Sequence, residues 1–224
     1  MSDSGGTGGH LRKDAQRNRD LLIAAAREVY AERGVEAPLD DIARRAGVGN
    51  ATLYRRFPTR GALIEAVFGD ALTHTLRRGE EARGADDAWA GLTSYLEYIF
   101  EGLAADRGAN DLMTTSIPDV PSLDALKTHH YETVHALIRR AQEQGSMRGD
   151  VVVEDLLFAL AALGRVVPAS VTVAPQAWRR HLHLLLDGLR TPAATTPTAL
   201  PVPPLTPDQL TGALRALAGH DDAG

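Results

Sequence analysis

Between Leu39 and Phe57 the chain reads LDDIARRAGVGNATLYRRF, two short segments bracketing a glycine-containing turn. Leu39, Ile42, Ala43 and Ala46 fall on one face of a helix, and Gly47 supplies a stop. Ala51 to Phe57 gives a second helix, ended by Pro58. Helices this short do not persist alone in water, so each must be braced by packing. Ile42, Ala43, Val48 and Leu53 are placed to lock the pair together, which makes residues 39–58 a helix-turn-helix. Asn50, Thr52, Tyr54, Arg55 and Arg56 then point away from the lock, offering an amide, a hydroxyl, a phenol and two guanidiniums.

The same helical spacing continues on both sides. Leu22, Ala25, Ala26, Val29 and Tyr30 form one stripe, stopped at Gly34. Thr59 can cap a fourth helix whose stripe is Leu63, Ala66, Val67 and Ala71. Trp89 to Leu103, Leu123 to Gln144, Val153 to Val167 and Gln176 to Leu189 read as further helices, the last two separated by a Pro168–Pro175 connection. No convincing strand alternation appears, so the fold class is all-α: a three-helix helix-turn-helix domain followed by a helical domain. The expected divisions are a disordered basic arm (1–14), the helix-turn-helix domain (15–76), a helical effector-binding and dimerisation domain (77–190) and a Pro-rich tail with a short C-terminal helix (191–224).

Composition removes several classes of function. With no cysteine there are no disulfides, thiolate nucleophiles or cysteine-held zinc. No apolar run approaches a membrane span, and the Gly/Ser-rich start lacks the apolar core of a signal peptide, which reads as a cytoplasmic protein with no membrane partner. His129, His130 and His135, and His181 and His183, lack the spacing with an intervening carboxylate that a helical zinc site uses, so no metal is expected. Neither a phosphate-binding glycine loop nor a nucleophile elbow is present, and neither a cofactor nor enzyme activity has support.

Net charge is −5, yet His10 to Arg60 carries 11 basic against 7 acidic residues, or +4, leaving −9 on the rest. A basic segment on an acidic body suits local contact with phosphates. One α-helix fits the DNA major groove, and the outward side chains of the second helix suit phosphates and base edges. Spacing alone leaves open an ordinary helical hairpin with solvated arginines.

The residue pattern goes further. LLIAAAREVYAERG followed by DIARRAGVGNATLYRRFPTRGALIEAV closely resembles the signature of the TetR family of transcriptional regulators, over about Arg17 to Leu76. The resemblance implies that Gly47 is the turn glycine, that Thr52 and Tyr54 contact phosphates, and that Thr59 and Arg60 open helix four beside the DNA backbone. Gly49 stands where the family usually has serine, Ala51 where it has glycine and Arg56 where it has histidine. The implied partner is double-stranded operator DNA, bound by a homodimer with half-sites about one helical turn apart. The implied function is a repressor released by a small-molecule effector that shifts helix four. A ligand-independent regulator or activator and, more remotely, an all-α enzyme or metal-binding module are the rival readings.

The last two helices are apolar beyond one stripe. Leu156, Leu160, Leu163, Trp178, Leu182, Leu185 and Leu189 are therefore the expected dimer interface. Trp89, Tyr95, Phe100, Met113, Tyr131, Phe158 and Arg165 are the expected pocket residues, Arg165 because it is polar within an apolar helix.

Overall fold

Helical capping accounts for most of the boundaries in the computed structural model, which describes residues 7–115, 117–170, 174–191 and 206–208. Nine helices run through these residues: α1 (Thr7–Arg33), α2 (Leu39–Ala46), α3 (Asn50–Arg56), α4 (Arg60–Arg83), α5 (Ala88–Ala105), α6 (Arg107–Thr114), α7 (Pro121–Glu143), α8 (Val153–Ser170) and α9 (Ala177–Asp187). Gly47 ends α2 with φ 67°, the left-handed conformation that a side chain resists. Thr59, Asp87 and Asp106 cap α4, α5 and α6, each accepting the N–H three residues on. Pro121 opens α7, where its missing N–H costs nothing.

Two differences from the sequence reading concern helix ends. Residues from Thr7 onward belong to α1, so only 1–6 of the expected arm lie outside the described residues. Pro168 sits inside α8 instead of ending it. A proline there removes the N–H that would bond the carbonyl of Gly164. The buried Asn110 of α6 replaces it, donating from Nδ2 to that carbonyl at 3.0 Å.

Two apolar cores result. One joins α1, α2, α3 and the first half of α4 to Leu112, Ile117, Val120, Leu123 and Leu126 from α6, the following loop and α7. The other packs α5, α7, α8 and α9 together. α4 runs from the first core to the second, so a displacement of the second core reaches the helix-turn-helix through a continuous rod. After α9 the chain is held by a short antiparallel bridge, Met147 to Arg190, with Thr191 N–H bonded to Ser146 at 3.3 Å. The expected C-terminal helix lies outside the described residues. No described helix is long and apolar enough to cross a membrane. No cluster among the described residues could hold a metal ion.

Candidate nucleic-acid interface and ligand cavity

Ile42, Ala43 and Leu53 are buried and lock α2 to α3, as their spacing requires. The opposite face of α3 is open. Gly49, Asn50, Ala51 and Arg55 are exposed, Tyr54 is 50% exposed, and Thr52 is half-buried. Asn50 is held by Asp40, donating from Nδ2 to Oδ1 at 2.8 Å, which supplies an α2–α3 tie where Gly49 has no capping side chain. Arg56 is half-buried, and its Nε is enclosed without a hydrogen-bond partner among the described residues. Behind this face Asp41 accepts from Arg33 and Arg44, whose hydrogen bonds hold its carboxyl below the usual range.

Arg60 does not face outward. Its guanidinium donates to the carbonyl oxygens of Val35 and Ala37, the latter at 2.8 Å, and so clamps the α1–α2 loop onto the start of α4. The expected phosphate contact at Arg60 is corrected to an internal brace. Thr59, the exposed cap of α4, remains at the surface beside α3.

A cavity of about 300 Å³ opens between α5, α6, α7 and α8. Leu96, Ile99, Phe100 and Leu103 form one wall, and Leu157, Leu160, Ala161 and Gly164 the opposite one. Met113 and Thr114 of α6, and Lys127, His130 and Tyr131 of α7, complete it, with Pro207 from the tail at its edge. Of the expected pocket residues, Phe100, Met113 and Tyr131 line this cavity. Trp89 is buried elsewhere with Arg190 over its ring, and Tyr95 lies behind the wall, bonded to His130. Phe158 is 42% exposed on the outer face of α8, and Arg165 is not among the lining residues. Neither Lys127 nor His130 is among the expected pocket residues, and the sequence reading weighs His130 only as a metal ligand. The available signal was that the chain has only two lysines, and that Lys127 stands one helical turn before Tyr131. A second cavity of about 320 Å³ shares Ile99, Leu103 and Met113 with the first and faces Phe68, Ala71, Leu72 and Thr75 of α4.

Comparison with known proteins meets this geometry at both ends of the chain. The model for bacterial regulatory proteins of the tetR family matches residues 22–67, and that for the C-terminal domain of SbtR-like transcriptional regulators matches residues 87–191. A TetR transcriptional regulator from Streptomyces coelicolor is 31% identical, with a TM-score of 0.51 over 78% of this chain and 99% of that one. This chain belongs to the TetR family of transcriptional regulators. The transcriptional repressor KstR2 of Rhodococcus jostii is 26% identical over 80% of this chain and 94% of its own length. FadR from Bacillus subtilis, crystallised with stearoyl-CoA, shares the fold at 19% identity, with a TM-score of 0.56 over 76% of this chain and 98% of that one.

In this TetR-family protein the expected dimer residues mostly serve the chain's own core. Leu156, Leu160, Trp178 and Leu182 are buried within one chain, and Leu163, Leu185 and Leu189 pack partly buried against the same cluster. The apolar surface left over is the row Phe158, Ala162 and Val166 on α8, with Leu184 on α9. Val166 and Leu184 are 55% and 56% exposed.

Between cavity and helix-turn-helix stands α6. Met113 and Thr114 line the cavity, while Asp111, one turn away, accepts the Val35 N–H of the α1–α2 loop at 3.0 Å. Burial raises the Asp111 carboxyl above its ordinary pKa, and the Val35 bond partly offsets this. The loop after α6 presses on α4 as well, and Glu65 of α4 accepts the Ser122 N–H at 3.2 Å.

Proposed function

We propose that this TetR-family regulator is a homodimeric repressor that binds operator DNA through α3 and lets go when a small-molecule effector fills the α5–α8 cavity. The observation that carries this reading is the double engagement of α6. It contributes Met113 and Thr114 to the cavity and Asp111 to the loop that Arg60 clamps onto α4. An effector that moves α6 therefore acts on the helix-turn-helix through hydrogen bonds and packed side chains. The second cavity leaves the α5 and α6 side of α4 free to yield. Such coupling is reciprocal: whatever factor the effector takes from DNA affinity, DNA takes from effector affinity. That KstR2 is a repressor and that FadR was crystallised with stearoyl-CoA support the reading.

The exposed row of Phe158, Ala162 and Val166 with Leu184 is the surface on which two copies would pair, placing two α3 helices on one face of the assembly. Promoter fragments selected by the protein provide the DNA for an anisotropy titration at several salt concentrations. Specific, salt-sensitive retention is expected. Tyr54→Ala removes one contact from each half-site, about 1 kcal/mol apiece, so affinity should fall roughly tenfold or more while the dimer persists. Equal affinity of the variant and the parent for the selected fragment would refute the interface. The absence of any salt-sensitive preference for one fragment would refute the repressor reading as a whole.

A further inference from the structure

We infer that the ligand of the α5–α8 cavity is an organic acid with a single negative charge and an apolar body, its acid group paired with Lys127. This inference rests on the effector reading above and specifies the chemistry of that same cavity.

The walls are aliphatic and aromatic, so the body of the ligand is apolar. Among the described residues four polar side chains line the cavity: Thr114, Lys127, His130 and Tyr131. Three are engaged within the protein. Thr114 donates to the Asn110 carbonyl at 2.8 Å, and Tyr131 donates to the buried Glu154 at 2.9 Å. The ring of His130 meets the Tyr95 hydroxyl at 3.2 Å through Nδ1. Lys127 has no hydrogen bond or ion pair among the described residues. Its nearest compensation is the charge of Asp124 on the same helix, and burial holds its pKa below the ordinary lysine value. An ammonium half withdrawn from water without a direct partner is costly, and a ligand carboxylate would relieve that cost.

His130 adds a second donor. Burial pushes its pKa down to about 4, so the ring is neutral near pH 7. A neutral ring that accepts the Tyr95 hydroxyl at Nδ1 carries its proton on Nε2, where it can donate to the same carboxylate. The charge count limits the ligand further. Among the described residues the cavity lining offers one cation, and the Glu154 carboxylate stands behind Tyr131, so a polyphosphate-bearing carrier would lack counter-charges here. A neutral ligand would leave the ammonium unpaired, and a cationic one would be repelled.

The full chain can be tested without DNA. Trp178 stacks on Phe100, a cavity wall residue, with ring centroids 6.1 Å apart, so its fluorescence reports occupancy. The probes are sodium decanoate below its micelle concentration, 1-decanol and decyltrimethylammonium. Decanoate should give a saturable change, with decanol at least tenfold weaker and the cation without effect. Lys127→Met should weaken decanoate about tenfold and leave decanol unchanged, while Lys127→Arg keeps most of the affinity. Thermal melts of both variants confirm that they are folded. Decanol binding as tightly as decanoate, decanoate affinity unchanged in Lys127→Met, or no saturable decanoate signal would each overturn the inference. A parallel operator titration separates the two claims. Lys127-dependent decanoate binding that leaves the DNA complex intact upholds the acid site and refutes the effector reading. Release of DNA by decanol as readily as by decanoate upholds the effector reading and refutes the acid site.

Discussion

Gly61→Ala sets two known effects of opposite sign against each other at the junction between cavity and helix-turn-helix. Inside a helix, alanine is better than glycine by up to about 1 kcal/mol, so propensity alone predicts stabilisation. At Gly61 an added Cβ would sit 2.5 Å from the carbonyl oxygen of Asp119 and 2.9 Å from that of Pro118. Both are backbone atoms, and Asp119 already holds φ 61°, a conformation with little room to adjust. Overpacking of this kind costs roughly 1–3 kcal/mol. The clash therefore cancels or outweighs the propensity gain, for a net loss of up to about 2 kcal/mol. In a chain of this length each kcal/mol moves the melting midpoint by about 2–4 °C, so a fall of up to about 8 °C is expected. Gly102→Ala is the matched control. Gly102 also lies within a helix, but nothing stands within 4 Å of the position its Cβ would take, so this variant should melt slightly higher than the parent. Calorimetry of the three proteins at one fixed concentration decides the matter, since the proposed dimerisation would make the midpoint concentration-dependent. If Gly61→Ala melts at or above Gly102→Ala, the close approach of the α6–α7 loop to α4 is not a real constraint, and the mechanical link proposed through it fails.

The remaining expectations concern separate contacts. Asn110→Ala strips the Gly164 carbonyl of its donor and should cost about 1–3 kcal/mol in denaturant unfolding. Pro168→Ala in the same chain restores a backbone N–H for that carbonyl, so a double variant no more stable than Asn110→Ala would refute the replacement. His130 is held neutral in the fold, its pKa lowered to about 4 from an ordinary 6.5. Its contribution is complete above pH 6.5 and declines as pH falls toward 4, because the unfolded chain takes up a proton that the folded chain refuses. The loss reaches about 3 kcal/mol, and a stability–pH profile that is no flatter in His130→Gln over that window would contradict it. Val166→Glu with Leu184→Glu places charge on the exposed apolar row and should yield monomers by sedimentation, whereas an undiminished dimer would move the interface elsewhere.

Sequence and tertiary structure divided the information unevenly. Helix positions followed from local rules: the glycine stop at Gly47, the threonine cap at Thr59 and the apolar spacing that buries Ile42 and Leu53 all involve residues within a turn of one another. The TetR resemblance covered the same region, because groove contact constrains the outward face as well as the packed one. Contacts across the fold were not legible in this way. Arg60 looked like a phosphate ligand, since nothing near it in sequence reveals the carbonyls of Val35 and Ala37. Leu156, Leu160, Trp178 and Leu182 looked like an interface, since periodicity identifies an apolar face without saying whether it meets its own chain or another. Lys127 was not among the expected pocket residues, since only packing sets α7 against α5 and α8 around the cavity that it lines. From its sequence alone this chain declares that it is helical and where the second helix of its helix-turn-helix begins, because those properties are set by neighbours a few residues apart. Which cation faces a cavity, which apolar row stays outside and how α6 reaches both sites depend on residues dozens of positions apart, and only packing brings those together.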